Sequence, residues 1–442
     1  MAEREILEVG SELMGRLASA RGWPLKALDR RGMDLATEDA ELRAALLRFI
    51  DVAPACRSLD DLASHLVGYL DQVPDRPVPL DVAMRMGGSR AGRAALGSTA
   101  VAGVRHVAHR FIVGETPRSA EKVLRSLWRD GVASSVDLLG EATVTAAEAD
   151  RYAERCAQTL RSLSELCRGF PAQPALESDS FGPIARANLS VKVSALTPML
   201  RAQAPELGER DAAPRLRELL RLANGLGAHL HVDMESFDSR EAVTDLVLTL
   251  LSEDEFRDGP SVGLVLQAYL LDSPELCELL VAWAAGSKRA QPLVVRLVKG
   301  AYWDHEVHDA RQHGWQPPVF EVKRDSDRNF EALTIRLLQA RPHVRPAIAS
   351  HNLRSVAHAI VANRELGGEQ RDVEFQVLRG LGDDLGHALA GAGHRVRTYC
   401  PVGDLVAGMA YLVRRLLENT SNESFLAEQA RGVSPEELLA AP

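Results

Sequence analysis

Cysteine is scarce in this chain and poorly placed for pairing. Cys56, Cys156, Cys167, Cys277 and Cys400 are five in 442 residues, an odd number without a CxxC spacing, each in a stretch that reads as helix or strand. That pattern excludes a disulfide framework, and reduced thiols are the simple account. Long apolar runs are missing too, since no uncharged stretch reaches the roughly eighteen residues that a membrane-spanning helix needs. The opening MAEREILEVG is charged from its third residue, so no secretory signal is expected and the protein is placed in the cytoplasm. Nor do basic residues predominate. At a formal charge of −9 the chain lacks the cationic footprint on which nucleic-acid affinity rests, and no nucleic-acid partner is expected. HExxH and GxSxG are absent, and GLGDDLG, beginning at Gly380, misses the GxGxxG spacing, so neither a hydrolase motif nor a glycine-rich phosphate loop is supplied.

What is present is an ordinary globular composition, 46% hydrophobic and 26% charged, long enough for one large domain and a smaller one. Residues 1–115 read as short helices with polar breaks, Glu3–Arg21, Ala40–Val52 and Leu59–Leu70, a helical arm with accessory helices. The Gly- and Ala-rich segment Gly87–Gly103 fits either a flexible connection or a closely packed helix. From Ser119 onward short apolar runs alternate with helical patterns. The runs are Ala133–Leu139, Asn188–Val193, His229–Met234, Val262–Gln267, Leu293–Val298, Arg345–Ser350, Val373–Leu378 and Val396–Cys400. Eight strand–helix repeats over roughly 290 residues predict an α/β fold of (β/α)8, TIM-like class, with an open doubly wound sheet as the alternative. Residues 116–426 would form the barrel and 427–442 a tail.

Reactive groups of such a barrel gather at the C-terminal strand ends. Here those ends carry Asp137, Lys192, Asp233, Glu235, Gln267, Tyr269, Arg296, Lys299, the Ser350-His351-Asn352 triplet, Gln376 and Tyr399. Any one alone fits a satisfied core polar group; their recurrence at one depth points to a site. After Tyr399 the chain is broken by Pro401 and Gly403, and Asp404 caps a helix whose polar face holds Tyr411, Arg414, Arg415 and Glu418. By itself that face reads as solvated. With the strand ends it reads as a lid, and Lys192, Arg296, Lys299, Arg414 and Arg415 against Asp233 and Glu235 make a net positive centre suited to two anionic groups. His229, His231 and Asp233 share one side of a strand and invite a metal-site reading; the partner histidines of the amidohydrolase pattern are not where that reading needs them, and no metal is assigned.

Eight motifs carry a resemblance: SVDLLGEA, NLSVKVSAL, VDMES, LQAYL, VRLVKGAYWD, ASHNLRS, EFQVL and YLVRRLLENTSNESF. In order, over about Phe111 to Leu426, they resemble the proline dehydrogenase domain of the proline utilization A (PutA) flavoenzymes. The resemblance implies a distorted barrel with its last helix over the mouth, and FAD-dependent oxidation of L-proline to Δ1-pyrroline-5-carboxylate, the first step of proline catabolism. Electrons would pass to a quinone, with peripheral contact at the inner face of a membrane. Carried over by motif, Arg414 and Arg415 with Lys192 would hold the proline carboxylate, and Tyr302, Leu378, Tyr399 and Tyr411 would enclose the ring. Arg296 and Asp233 would be the catalytic pair beside the flavin. Met234, Gln267, Arg296, Lys299, Gly300, Ala301, Trp303, Ser350, His351, Asn352, Gln376, Glu418 and Phe425 would contact FAD. Where the family places a threonine before His351 this chain has Ser350, which keeps the hydroxyl. The chain stops at Pro442, so it is expected to stand alone or to be cut from a longer protein carrying an aldehyde dehydrogenase module.

Overall fold

A computed structural model describes residues 3–20, 40–74, 90–140, 143–404, 408, 411 and 433–442. Eight parallel strands close a barrel in chain order: β1 (Val132–Leu138), β2 (Asn188–Val191), β3 (His229–Val232), β4 (Ser261–Gln267), β5 (Leu293–Val298), β6 (Val344–Ala349), β7 (Glu374–Leu378) and β8 (Arg395–Val402), with β8 paired to β1. A small antiparallel pair, Ser178–Asp179 with Gly182–Pro183, lies between β1 and β2.

Among the described residues four helices precede the barrel: α1 (Glu3–Ala20), α2 (Ala40–Val52), α3 (Leu59–Leu70) and α4 (Arg90–Phe111). The barrel wall then adds α5 (Pro117–Arg129), α6 (Ala146–Arg168), α7 (Pro205–Leu226), α8 (Phe237–Leu251), α9 (Ser273–Gly286), α10 (Trp303–His313), α11 (Lys323–Gln339), α12 (Leu353–Glu365) and α13 (Asp383–Gly391). Helix starts follow their caps: Thr145 Oγ1 accepts from Glu148 N, and Glu148 Oε2 accepts from Thr145 N at 3.0 Å, setting α6 to begin at Ala146. Among the described residues no helix is long and apolar enough to cross a membrane. All five cysteines are free thiols.

The strands alternate in chemistry. Their outward residues, such as Leu189, Leu230, Val295, Phe375 and Val396, are buried against the helices in one core, and α1 joins that core through Ile6, Val9, Leu13 and Leu17. Many of their inward residues are polar: Ser135, Asn188, Ser190, His229, His231, Arg345, Glu374, Arg395 and Arg397 are all buried, with Val265 and Val294 among the apolar exceptions. Helices α2 to α4 make a second cluster, in which Phe49, Leu62, Phe111 and Ile112 meet Leu381 and Tyr411. In α4 a Cβ on Gly97 would lie 2.2 Å from the Leu59 carbonyl oxygen, so the Gly- and Ala-rich segment is a packed helix from Arg90 onward, held close to α3.

Three expectations are corrected. Strands β2 and β3 end at Val191 and Val232, so Lys192, Asp233 and Met234 stand just past them; Lys192 leads directly into a 3-10 turn, Val193–Ala195. Pro401 does not end β8. A proline lacks only the donor, and its carbonyl accepts from Val113 N at 3.0 Å while Val402 O accepts from Leu139 N at 2.8 Å. Helix α10 went unforeseen because WDHEVHDARQH buries little more than Glu306, Val307 and Ala310; the signal was Gly314, left-handed at φ 69° immediately after it.

Candidate active site

A cavity of about 540 Å³ opens at the C-terminal mouth of the barrel. Of the residues singled out from the sequence, Lys192, Asp233, Met234, Gln267, Arg296, Lys299, Gly300, Ala301, Tyr302, Trp303, Ser350, His351, Asn352, Gln376, Leu378, Tyr399 and Tyr411 all line it. Arg414, Arg415, Glu418 and Phe425 lie outside the described residues.

One side of the cavity is a buried polar network spanning five strands. Arg296 on β5 donates through Nη1 to Asp233 Oδ1 at 2.6 Å, through Nε to Gln376 Oε1 at 2.7 Å and through Nη2 to Ser190 Oγ at 3.3 Å. Tyr399 donates to the other Asp233 oxygen at 2.7 Å, and the Arg296 guanidinium stands 5.4 Å over the Tyr399 ring. Lys192 bonds Asp137 and lies 3.6 Å from Asp233 Oδ2. Burial pulls the Lys192 ammonium down, but Asp137 and then Asp233 push it above its ordinary range, so it is a cation. Burial, then Asp137 and Asp233, raise the Tyr399 phenol well above its usual value, so it stays a hydroxyl donor.

The other side is built from the β5 and β6 ends. Lys299 bonds Asp327 and sits 5.8 Å over the Phe330 ring, and burial holds its ammonium below the usual lysine range. Gly300 turns at φ 139°, and a Cβ there would fall 2.3 Å from the Tyr269 ring, so the backbone passes where no side chain fits. Ser350 Oγ accepts from Asn352 N at 3.1 Å, and Asn352 Oδ1 caps α12 by accepting from Ser355 N at 3.1 Å. The serine hydroxyl is thus in use. His351 Nε2 accepts the Leu378 N–H at 3.0 Å, and a Cβ on Gly382 would crowd that nitrogen at 2.6 Å. Gln267 Nε2 donates to Glu235 O at 2.9 Å, whereas its buried Oε1 has no partner among the described residues. An amide acceptor held in this way is free to take a donor from whatever fills the cavity.

The charge balance is described only in part, because Arg414 and Arg415 of the expected positive centre lie outside the described residues. Asp137, Asp233, Glu235, Glu321 and Asp327 line the described wall against Lys192, Arg296, Lys299 and Lys323, so its cations are matched by carboxylates. Asp137 was visible at a strand end but not recognised as the partner of Lys192. Asp327 and Lys323 sit in the first turns of α11, where nothing in the sequence marked them. The HxHxD motif is divided by its partners. Asp233 is engaged by Arg296 and Tyr399, while His229 Nε2 meets His231 Nδ1 at 3.2 Å and His229 Nδ1 meets Ser261 at 2.8 Å.

The chain matches the family model described as proline dehydrogenase over residues 120–428, and that of the proline utilization A N-terminal domain over residues 3–111. It is 35% identical over 351 residues to the bifunctional protein PutA of Salmonella typhimurium, covering 77% of this chain and 25% of that protein. The chain therefore spans about a quarter of the length of the curated bifunctional relatives it matches. Proline dehydrogenase 1 of Bacillus subtilis is 26% identical over 324 residues, 73% of this chain and 90% of that one. Among solved structures, PutA from Bdellovibrio bacteriovorus inactivated by N-propargylglycine superimposes with a TM-score of 0.91 at 32% identity, over 100% of this chain and 44% of that chain.

Proposed function

Because the chain belongs to the proline dehydrogenase family, we propose that it oxidises L-proline to Δ1-pyrroline-5-carboxylate with FAD as the hydride acceptor and a quinone as the next electron carrier. The observation that carries this reading is the Arg296–Asp233–Tyr399–Lys192 network placed beside the unpartnered acceptor of Gln267 in one cavity. A flavin suits that wall, since its ring imide offers the N–H donor that Gln267 Oε1 lacks. Met234, Lys299, Gly300, Ala301, Trp303, Ser350, His351, Asn352 and Gln376 would form the rest of its seat, with Glu418 and Phe425 added from the end of the barrel domain.

When bound, the flavin supplies a two-electron acceptor for the hydride leaving the ring carbon beside nitrogen. This chain's residues set the geometry and the field. Lys192, with Arg414 and Arg415, would hold the carboxylate, and Tyr302, Leu378, Tyr399 and Tyr411 would close over the ring and exclude water. Hydride loss needs the nitrogen lone pair free, so the amine must arrive neutral. Lys192 is held as a cation and Tyr399 as a phenol, so neither takes that proton. Enclosure beside Arg296 and Lys192 disfavours a third cation, and the proton is released to water as the ring is buried. Arg296, fixed by Asp233, would place positive charge beside the bound flavin and would stabilise its reduced form. A quinone acceptor would bring the protein to a membrane surface as a peripheral, cytoplasmic visitor.

The anaerobic visible spectrum tests the proposal. Purified protein reconstituted with FAD is expected to be yellow and to bleach on adding L-proline; a colourless protein after FAD addition, or a flavin spectrum indifferent to L-proline, would overturn it.

A further inference from the structure

Barrels of this class are ordinarily filled by branched aliphatic side chains. Below the mouth of this one the filling is charged. Arg345 on β6 and Arg395 on β8 both donate to Asp179, at 2.9 and 2.8 Å, and Arg397 grips Glu374 with two bonds of 2.9 and 3.0 Å. All five side chains are buried. Glu374 is the branch point, because its Oε1 also accepts from Gln376 Nε2 at 2.7 Å. The opposite end of that amide, Gln376 Oε1, accepts from Arg296 Nε at 2.7 Å.

An amide between these two neighbours has one workable orientation. Turned over, it would set oxygen against the Glu374 carboxylate and NH2 against the Arg296 guanidinium, and two buried hydrogen bonds would be lost. Glu374 at one end and Arg296 at the other therefore lock the amide in a single sense, and Glu374 is the half of that lock that lies outside the cavity. We infer that Glu374 is a positioning residue for the reaction: acting through the Gln376 amide, it fixes the Arg296 guanidinium against Asp233 and over the Tyr399 ring from the floor of the barrel. Arg397 is the second part of the device. Burial alone would favour the neutral acid, but Arg397 and then Arg395 hold the Glu374 carboxyl at about 2, which leaves it an acceptor at any working pH. A neutral carboxyl could instead present an O–H to the Gln376 NH2 and loosen that end of the amide.

The inference rests on the role given above to Arg296, and the experiment separates the two. Removing Glu374 alone would strand Arg397, so charges are removed together. The pair Glu374→Met with Arg397→Met abolishes the acceptor, and Glu374→Gln with Arg397→Met restores a neutral one. In the FAD-loaded enzyme the Met/Met form is expected to lose at least tenfold in kcat with a proline KM changed less than twofold, and to show a more negative flavin midpoint potential. The Gln/Met form is expected to recover most of both. A crystal structure of the cofactor-free Met/Met protein should show the Gln376 side chain displaced and Arg296 shifted from its place against Asp233. If Met/Met does not fold, Gln376→Met cuts the relay while keeping the Glu374–Arg397 pair, and the same losses are expected. Wild-type kcat and potential in the folded relay-breaking variant, whatever its melting temperature, would reduce the network to filler and overturn the inference. If Arg296→Met itself leaves kcat and potential unchanged, the reading of Arg296 fails instead, and the crystal structure still decides whether Glu374 orients it.

Discussion

On β7, Phe375 and Val377 face the helices while Glu374 and Gln376 face the barrel axis; on β8, Val396 and Cys400 face out while Arg395, Arg397 and Tyr399 face in. Each outward side chain gains about 1.5–3 kcal/mol from leaving water and asks nothing of its neighbours but shape. Each inward one costs several kcal/mol to desolvate unless a partner of the right sign and direction is waiting. The outer face therefore holds the barrel closed. The inner face holds groups that packing alone would never select, and each is tolerated because the next strand supplies its counterpart.

The sharpest way to break this comparison is to truncate each face in turn. Phe375→Ala should destabilise the fold by about 3–5 kcal/mol in urea titration, with kcat of the folded enzyme unchanged. A large loss of kcat there would mean that the outer face also tunes the site. Arg296→Met should fall chiefly on the site, lowering kcat/KM by about 100-fold or more; the urea midpoint also drops, because Gln376 Oε1 and Asp233 Oδ1 lose their donor, although Asp233 keeps Tyr399 and Lys192. Gly263→Ala tests how tightly the inner face is fitted, because its Cβ would sit 2.1 Å from His231 Nδ1. A cost of about 1–3 kcal/mol is expected, with the His229–His231 contact displaced in a crystal structure.

The smallest effect is in pH. Burial, and then Arg397, hold the His229 imidazole at about 3, against 6.5 as its ordinary value. Between those values the unfolded chain binds a proton that the native protein refuses, so acid favours unfolding. Glu374 acts in the same direction lower down: its native carboxyl at about 2, against an ordinary 4.5, gives stability that is present above pH 4.5 and lost as pH falls toward 2. The melting temperature should therefore be level above neutrality, decline below about pH 6.5 and steepen below about pH 4.5. His229→Asn should flatten the upper part of that decline; an unaltered profile would show that the buried histidines are not its source.

The outer face was the legible one. Its apolar runs gave all eight strands to within two residues at every end, because burial against helices is written locally, residue by residue. On the inner face the residue types could be read, and every described site residue named from the sequence lines one cavity, but their pairing could not. Asp179, Arg345, Glu374 and Arg395 are far apart in the chain, and no periodicity links them before the strands close. The alternation in HLHVD, EFQVL and RVRTY was itself a clue. Polar–apolar alternation usually marks a strand with one face in water; in a closed parallel barrel the polar face has only the interior to occupy.

Trp303 stands at the rim of the cavity, 38% exposed, its indole Nε1 donating to Phe320 O at 2.9 Å. Fixed by that bond and adjacent to the space a conjugated ring would fill, it is a built-in optical gauge. Its ultraviolet emission would be drained by any visible-absorbing heterocycle seated alongside, and the difference between the native protein and Trp303→Phe would isolate that one emitter. Loading of the cavity could then be followed by light alone, in real time and without turnover.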